Sequence, residues 1–170
     1  MHIRSYFCVS MPLEITKKPT DLIIEKEDVK DFWKKNPEYS NKKGCYIVAI
    51  RAGRGYTPIY VGSAIKQTFE KEALADRHRA LYNEYVGKNK YKKGTPIIFL
   101  IFPQAKRGII NGTDIRQLEK YLIRQAINVN PGLKNNHHTK PERWAIEGVV
   151  RSKKGKPNSN AKTIRRMLDI

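Results

Sequence analysis

Gly44-Cys45-Tyr46-Ile47-Val48-Ala49-Ile50 and Pro58-Ile59-Tyr60-Val61-Gly62 are the two runs on which the fold turns. Both are rich in β-branched and aromatic residues, and residues 51–57 between them hold Gly53 and Gly55. Two apolar runs joined by a glycine-bearing loop read as a β-hairpin. A third run, Thr95-Pro96-Ile97-Ile98-Phe99-Leu100-Ile101-Phe102-Pro103, is bounded by prolines and continuously apolar, which suits a central strand covered on both faces. Between hairpin and third strand, residues 68–85 are charged and helix-like, so helices are expected against the sheet.

Downstream, Ile115, Leu118, Leu122, Ile123 and Ala126 recur at three and four residues. They predict a helix that starts after Gly112, is capped by Thr113 or Asp114, and runs to about Asn128. Glu119 falls on this apolar stripe, where a carboxylate needs something to offset its desolvation, and this marks it as functional. Asn130-Pro131-Gly132 stops the helix and turns the chain into Leu133-Lys134-Asn135-Asn136. Upstream, residues 20–25 read as a short strand and residues 27–35, around Phe32 and Trp33, as a short helix ending before Asn36-Pro37. Beyond His138, residues 145–150 read as a strand, 151–157 as a basic linker, and 159–168 as a last helix capped by Ser159 or Asn160. Trp33 and Trp144 read as packing residues.

The expected fold class is α/β, as an α+β sandwich: a small central three-stranded, mainly antiparallel sheet flanked by helices, with terminal additions. Residues 1–43 form an N-terminal extension packing on the core, 44–139 the core, and 140–170 a basic C-terminal extension.

Composition narrows the function. The 170 residues carry 34 Lys/Arg against 16 Asp/Glu, a net charge of +18, which makes nucleic acid the leading partner class. The charge is uneven: residues 1–43 hold nine basic against seven acidic (+2), 44–139 sixteen against six (+10), and 140–170 nine against three (+6). The binding face is therefore expected on the core and tail. A hydrophobic fraction of 39% supports a packed globule, and a mean hydropathy of −0.63 a polar surface. No run approaches the eighteen or so apolar residues of a spanning helix, and the first eight residues lack the features of a signal peptide. A soluble, cytoplasmic protein with no membrane partner is expected. Cys8 and Cys45 read as small hydrophobes in a reducing compartment. His2, His78, His137 and His138 lack the partner spacing of a structural zinc site.

The ordered elements resemble the GIY-YIG nuclease superfamily. Gly44-Cys45-Tyr46 stands in place of the first motif and Tyr60-Val61-Gly62 in place of the second. Glu119, within Leu118-Glu119-Lys120-Tyr121-Leu122-Ile123, looks like the metal-binding helix, and Asn130-Pro131-Gly132-Leu133-Lys134-Asn135 is similar to the asparagine-bearing turn that follows it. The match spans roughly residues 44–136. The resemblance implies a divalent-metal-dependent endonuclease hydrolysing phosphodiester bonds of DNA, with Mg²⁺ or Mn²⁺ held by Glu119 as the one protein ligand. It further implies that Tyr46 positions or deprotonates the attacking water, its phenol pKa lowered by nearby cations. Tyr60 would hold phosphate or water, Gly62 would let the substrate backbone approach, and Asn135 would brace the site.

The chain departs from the family pattern where an arginine is usual on the helix after the second motif. Here stand Lys71 and Glu72, with Arg77, His78 and Arg79 about two turns later. Either Arg77 or Lys71 takes the cation role or the site is impaired, and a lysine lacks the bidentate fork of arginine. His78 reads as a solvated surface or capping residue, with a general-base role as the alternative, and His137-His138 reads as loop. Lys88, Lys90, Lys92, Lys93, Arg151, Lys153 and Lys154 are the candidate phosphate clamps. The rival reading is a GIY-YIG-fold module that binds nucleic acid without cutting it, or an RNA-binding protein.

Overall fold

The two apolar hairpin runs, the first buried on both faces over most of its length, pair in the computed structural model as β3 and β4 of a five-stranded antiparallel sheet. The strands are β1 (Phe7–Val9), β2 (Leu13–Glu14), β3 (Gly44–Ala52), β4 (Gly55–Ala64) and β5 (Thr95–Pro103). The structure describes residues 7–16, 22–89, 94–104, 111–138 and 158–168. The chain divides into two units, residues 1–139 and 140–170. The first holds α1 (Lys26–Lys35), α2 (Pro37–Ser40), α3 (Phe69–Glu72), α4 (Asp76–Asn89) and α5 (Gly112–Val129), and the second holds α6 (Ser159–Leu168).

The sheet order is β1-β5-β3-β4, with β2 also on β5. The sheet has five strands among the described residues rather than the expected three, because residues 7–14 line the outer edge of β5. Val9 pairs with Ile101 and Leu13 with Ile98. Between them Ser10 continues the ladder, its N–H donating to Leu100 O at 2.8 Å and its hydroxyl accepting from Leu100 N at 3.0 Å. Strands of three and two residues carry too little alternation to be read from sequence. The expected strand at 20–25 does not form over its described part. The backbone of Ile24 is instead paired with the Asn83 amide of α4, N–H to Oδ1 and Nδ2 to O both at 3.0 Å. Residues 20 and 21 lie outside the described residues.

Register puts Tyr46, Val48, Ile50, Ile98 and Leu100 on one sheet face. There they pack with Phe32 and Trp33 of α1, Phe69 of α3, and Tyr82, Tyr85 and Val86 of α4. Burying such side chains contributes roughly 1.5–3 kcal/mol each. On the other face Ile47 and Val61 meet Ile123 and Ala126 of α5 and Leu133. The result is a helix–sheet–helix sandwich with β4 as the last strand on one side.

Two helix boundaries differ from expectation. Residues 68–85 form two helices, broken at Leu74, whose φ of 67° lies in the left-handed region though its side chain is buried. Apolar packing thus holds a backbone conformation that costs a leucine roughly 1–2 kcal/mol. The N-cap of α5 is Asn111, whose Oδ1 accepts from Thr113 N at 2.9 Å, not Thr113 or Asp114. In the second unit, Asn158 Oδ1 accepts from Ala161 N at 2.8 Å at the start of α6. Trp144 and residues 145–157 lie outside the described residues. No helix among the described residues is long and apolar enough to cross a membrane.

Candidate functional site

At the β4 edge, α4 from one face and α5 from the other come level with the end of the sheet, and the chain after α5 runs along the edge between them. The asparagines make this run a substitute strand. Asn130 Nδ2 donates to Pro58 O at 2.7 Å, and Lys134 N donates to Ile59 O at 2.8 Å. Asn135 completes the stitching, its Nδ2 donating to Val61 O at 2.6 Å and its Oδ1 accepting from Val61 N at 2.9 Å. Pro58 has no N–H to leave unpaired on this edge. Asn130 Oδ1 also accepts from Gly132 N and the Tyr85 hydroxyl, closing the turn on itself.

These elements enclose a cleft of about 180 Å³. Tyr60 of β4, Arg77 of α4, Glu119 of α5 and Asn135 of the turn all line it, four residues from four segments. Lys134, His137 and His138 form part of the same wall. The two histidines, read from sequence as loop, face the cleft, as does Lys134. Glu119 is half-buried on the apolar stripe, four residues from buried Ile115 and four from buried Ile123. Arg77 lines the same cleft as Glu119.

Behind Tyr60 lies a second layer. Tyr46 is fully buried, with its hydroxyl 2.9 Å from His78 Nδ1. The same nitrogen lies 2.9 Å from Glu72 O. A carbonyl oxygen only accepts, so Nδ1 carries a proton and donates it. The Tyr46 and Tyr60 ring centroids lie 6.2 Å apart, and their hydroxyls are coupled by a side-chain hydrogen bond. His78 stacks on Tyr60, ring centroids 4.8 Å apart at 25°. His78 is therefore a buried residue, 8% exposed, and not the solvated one that Asp76-Arg77-His78-Arg79 suggests.

The electrostatics reverse one expectation. Burial first, then Tyr60, Glu72 and Glu119, push the Tyr46 phenol far above its ordinary range. Among the described residues no cation stands among the main causes of this rise. Tyr60 is also raised, by burial and then by Glu119, but Arg77 pulls the other way. Burial and Glu119 push the Cys45 thiol up to about 12, and its Sγ–H points at Ile115 O at 3.4 Å.

Gly62 has a different role from the one expected. It pairs directly with Tyr46 across the hairpin, and a Cβ there would lie 2.4 Å from the Tyr46 phenol. The missing side chain makes room for Tyr46, and the space is not open to a substrate. Lys71 is exposed on α3 and does not line the cleft, whereas Arg77 does. Lys88 is engaged by Glu84 on the same helix. Lys90, Lys92, Lys93, Arg151, Lys153 and Lys154 lie outside the described residues.

Among the described residues no three His, Cys, Asp or Glu side chains converge as a metal cage. Glu119 is a single hard oxygen donor, and the cleft is large enough to hold water beside it. That donor set fits a hydrated Mg²⁺ or Mn²⁺, since magnesium keeps several of its waters and needs only one or two carboxylates. In comparisons with family models, curated proteins and solved structures, none matches this chain.

Proposed function

We propose that the chain is a GIY-YIG-type endonuclease that hydrolyses phosphodiester bonds of DNA with Mg²⁺ or Mn²⁺ in the cytoplasm. The observation that carries the reading is the meeting of Tyr60, Arg77, Glu119 and Asn135 at one cleft. The net charge of +18 and the free thiols of Cys8 and Cys45 accord with a polyanionic substrate and a reducing compartment. Glu119 would hold the metal, which when bound supplies Lewis-acid stabilisation of the phosphoryl oxygens and a more acidic water.

The remaining work falls to the chain's own groups. Tyr60 lines the cleft, and its O–H would donate there toward a phosphate oxygen. Tyr46 is then a positioning residue: it fixes the Tyr60 hydroxyl, and His78, tied to the Glu72 carbonyl, fixes Tyr46. Arg77 offsets the negative charge that develops at phosphorus. Asn135 keeps β4, and with it Tyr60, in register with the turn. The rival, a module that binds without cutting, draws on Lys71 lying outside the cleft.

Cleavage of plasmid and labelled single-stranded DNA with Mg²⁺, Mn²⁺ or EDTA separates the two. Metal-dependent cutting that falls roughly a thousandfold in Glu119→Gln, with binding retained, is expected of the nuclease. Salt-sensitive binding with no cutting under any metal leaves the binding module.

A further inference from the structure

Lys134 is fixed beside Tyr60 with unusual security for a surface lysine. Its N–H bonds to Ile59 O, and Asn135 next to it takes both backbone groups of Val61, so Tyr60 sits between the two anchors. Its side chain is 22% exposed and lines the cleft. The ammonium lies 3.2 Å from Glu84 Oε1, the same oxygen that takes Lys88.

Arg77, Leu81 and Glu84 follow one another at four and three residues on α4, and the first two line the cleft. Arg77 and the Glu84–Lys134 pair thus stand about 10 Å apart along the helix, at 1.5 Å per residue. The Glu84 oxygen rests between two ammonium groups, as a phosphate oxygen would. With the Glu84 side chain 43% exposed the pair is weak, and a backbone phosphate can exchange into it.

Resting on the nucleic-acid reading above, we propose that Lys134 is a phosphate-holding cation of this cleft and that Glu84 occupies it until a polyanion takes its place. Glu84 then sets a threshold: it keeps Lys134 and Lys88 from attracting anions that cannot also engage Arg77.

Fluorescence anisotropy of a labelled 20-base-pair duplex in EDTA, over a range of salt, tests this. Glu84→Gln is expected to tighten binding about threefold more than Glu14→Gln, an equal charge change on β2 where Glu14 pairs with Arg51 of β3. Lys134→Met is expected to weaken binding about fivefold and to reduce the slope of log affinity against log salt by about one. In the Lys134→Met background most of the Glu84→Gln gain is lost. An equal gain in both backgrounds, or the same gain from Glu14→Gln, overturns the proposal while leaving the nucleic-acid reading standing. Wild type that shows no salt-dependent binding overturns both.

Discussion

Tyr46 and Tyr60 are cross-strand neighbours joined by a hydrogen bond, yet one belongs to the sheet interior and the other to its edge. Around Tyr46 lie Gly62, His78 and the apolar core, and nothing reaches it from solvent. Around Tyr60 lie Arg77, Glu119 and the open cleft. The interior tyrosine is buried, protonated and held at its hydroxyl, which suits it to orient a neighbour. The edge tyrosine lines the cleft. One residue type on neighbouring strands therefore meets two environments, divided by a single strand spacing.

The sharpest way to break this contrast is to remove each hydroxyl. Tyr60→Phe is expected to lower cleavage about a hundredfold, the scale of losing a donor aimed at developing charge. Tyr46→Phe, acting only through Tyr60, is expected to lower it about tenfold. Single-turnover rates at saturating enzyme would read both, and equal losses would end the division of roles. Next in size is Gly62→Ala. Its methyl would enter the Tyr46 ring, so a destabilisation of about 1–3 kcal/mol is expected in denaturant melts. In a Tyr46→Leu background most of that cost should vanish, because the clash is pairwise. A cost that persists there would place the Gly62 constraint in the backbone, not in the tyrosine.

Much of this frame was legible because it is written in patterns with a clear period. The β-rich runs at β3, β4 and β5, the stripe of α5 and the Asn130-Pro131-Gly132 stop all follow from residue type and spacing. Glu119 stood out because it is a carboxylate among apolar neighbours. What escaped reading lacks such a signal. His78, Tyr82, Tyr85 and Val86 form the buried stripe of α4, but a histidine and two tyrosines do not announce an apolar face. Leu74 carries the turn between α3 and α4 without the glycine or asparagine that usually marks a left-handed residue. The role of Gly62 depends on its partner across the hairpin, a relation of register that neither strand states alone. Lys134 and the two histidines face the cleft because the asparagine turn is pinned to an edge strand, and that contact spans more than seventy residues of sequence.

The smallest expected effect is silent at neutral pH and tests the interior from its protons. Cys45, ordinarily near 9, is pushed to about 12, and the Tyr46 and Tyr60 phenols are raised above their ordinary 10. In each case the native state keeps a proton that the unfolded chain releases. Their contribution to stability is therefore complete below about pH 9 and is lost as pH rises, through 9 to 12 for Cys45 and above 10 for the phenols. By pH 10 the loss from the thiol alone is on the order of 1 kcal/mol. Urea midpoints at pH 8, 9 and 10 should fall in wild type and hold nearly level over that range in Cys45→Ala. Above pH 10, Tyr46→Phe should flatten the decline more than Tyr60→Phe, since the edge phenol has Arg77 to favour its anion and, among the described residues, no cation stands among the main influences on the interior one. The reverse order would mean that solvent reaches Tyr46, and the interior and the edge of the sheet would then be one site.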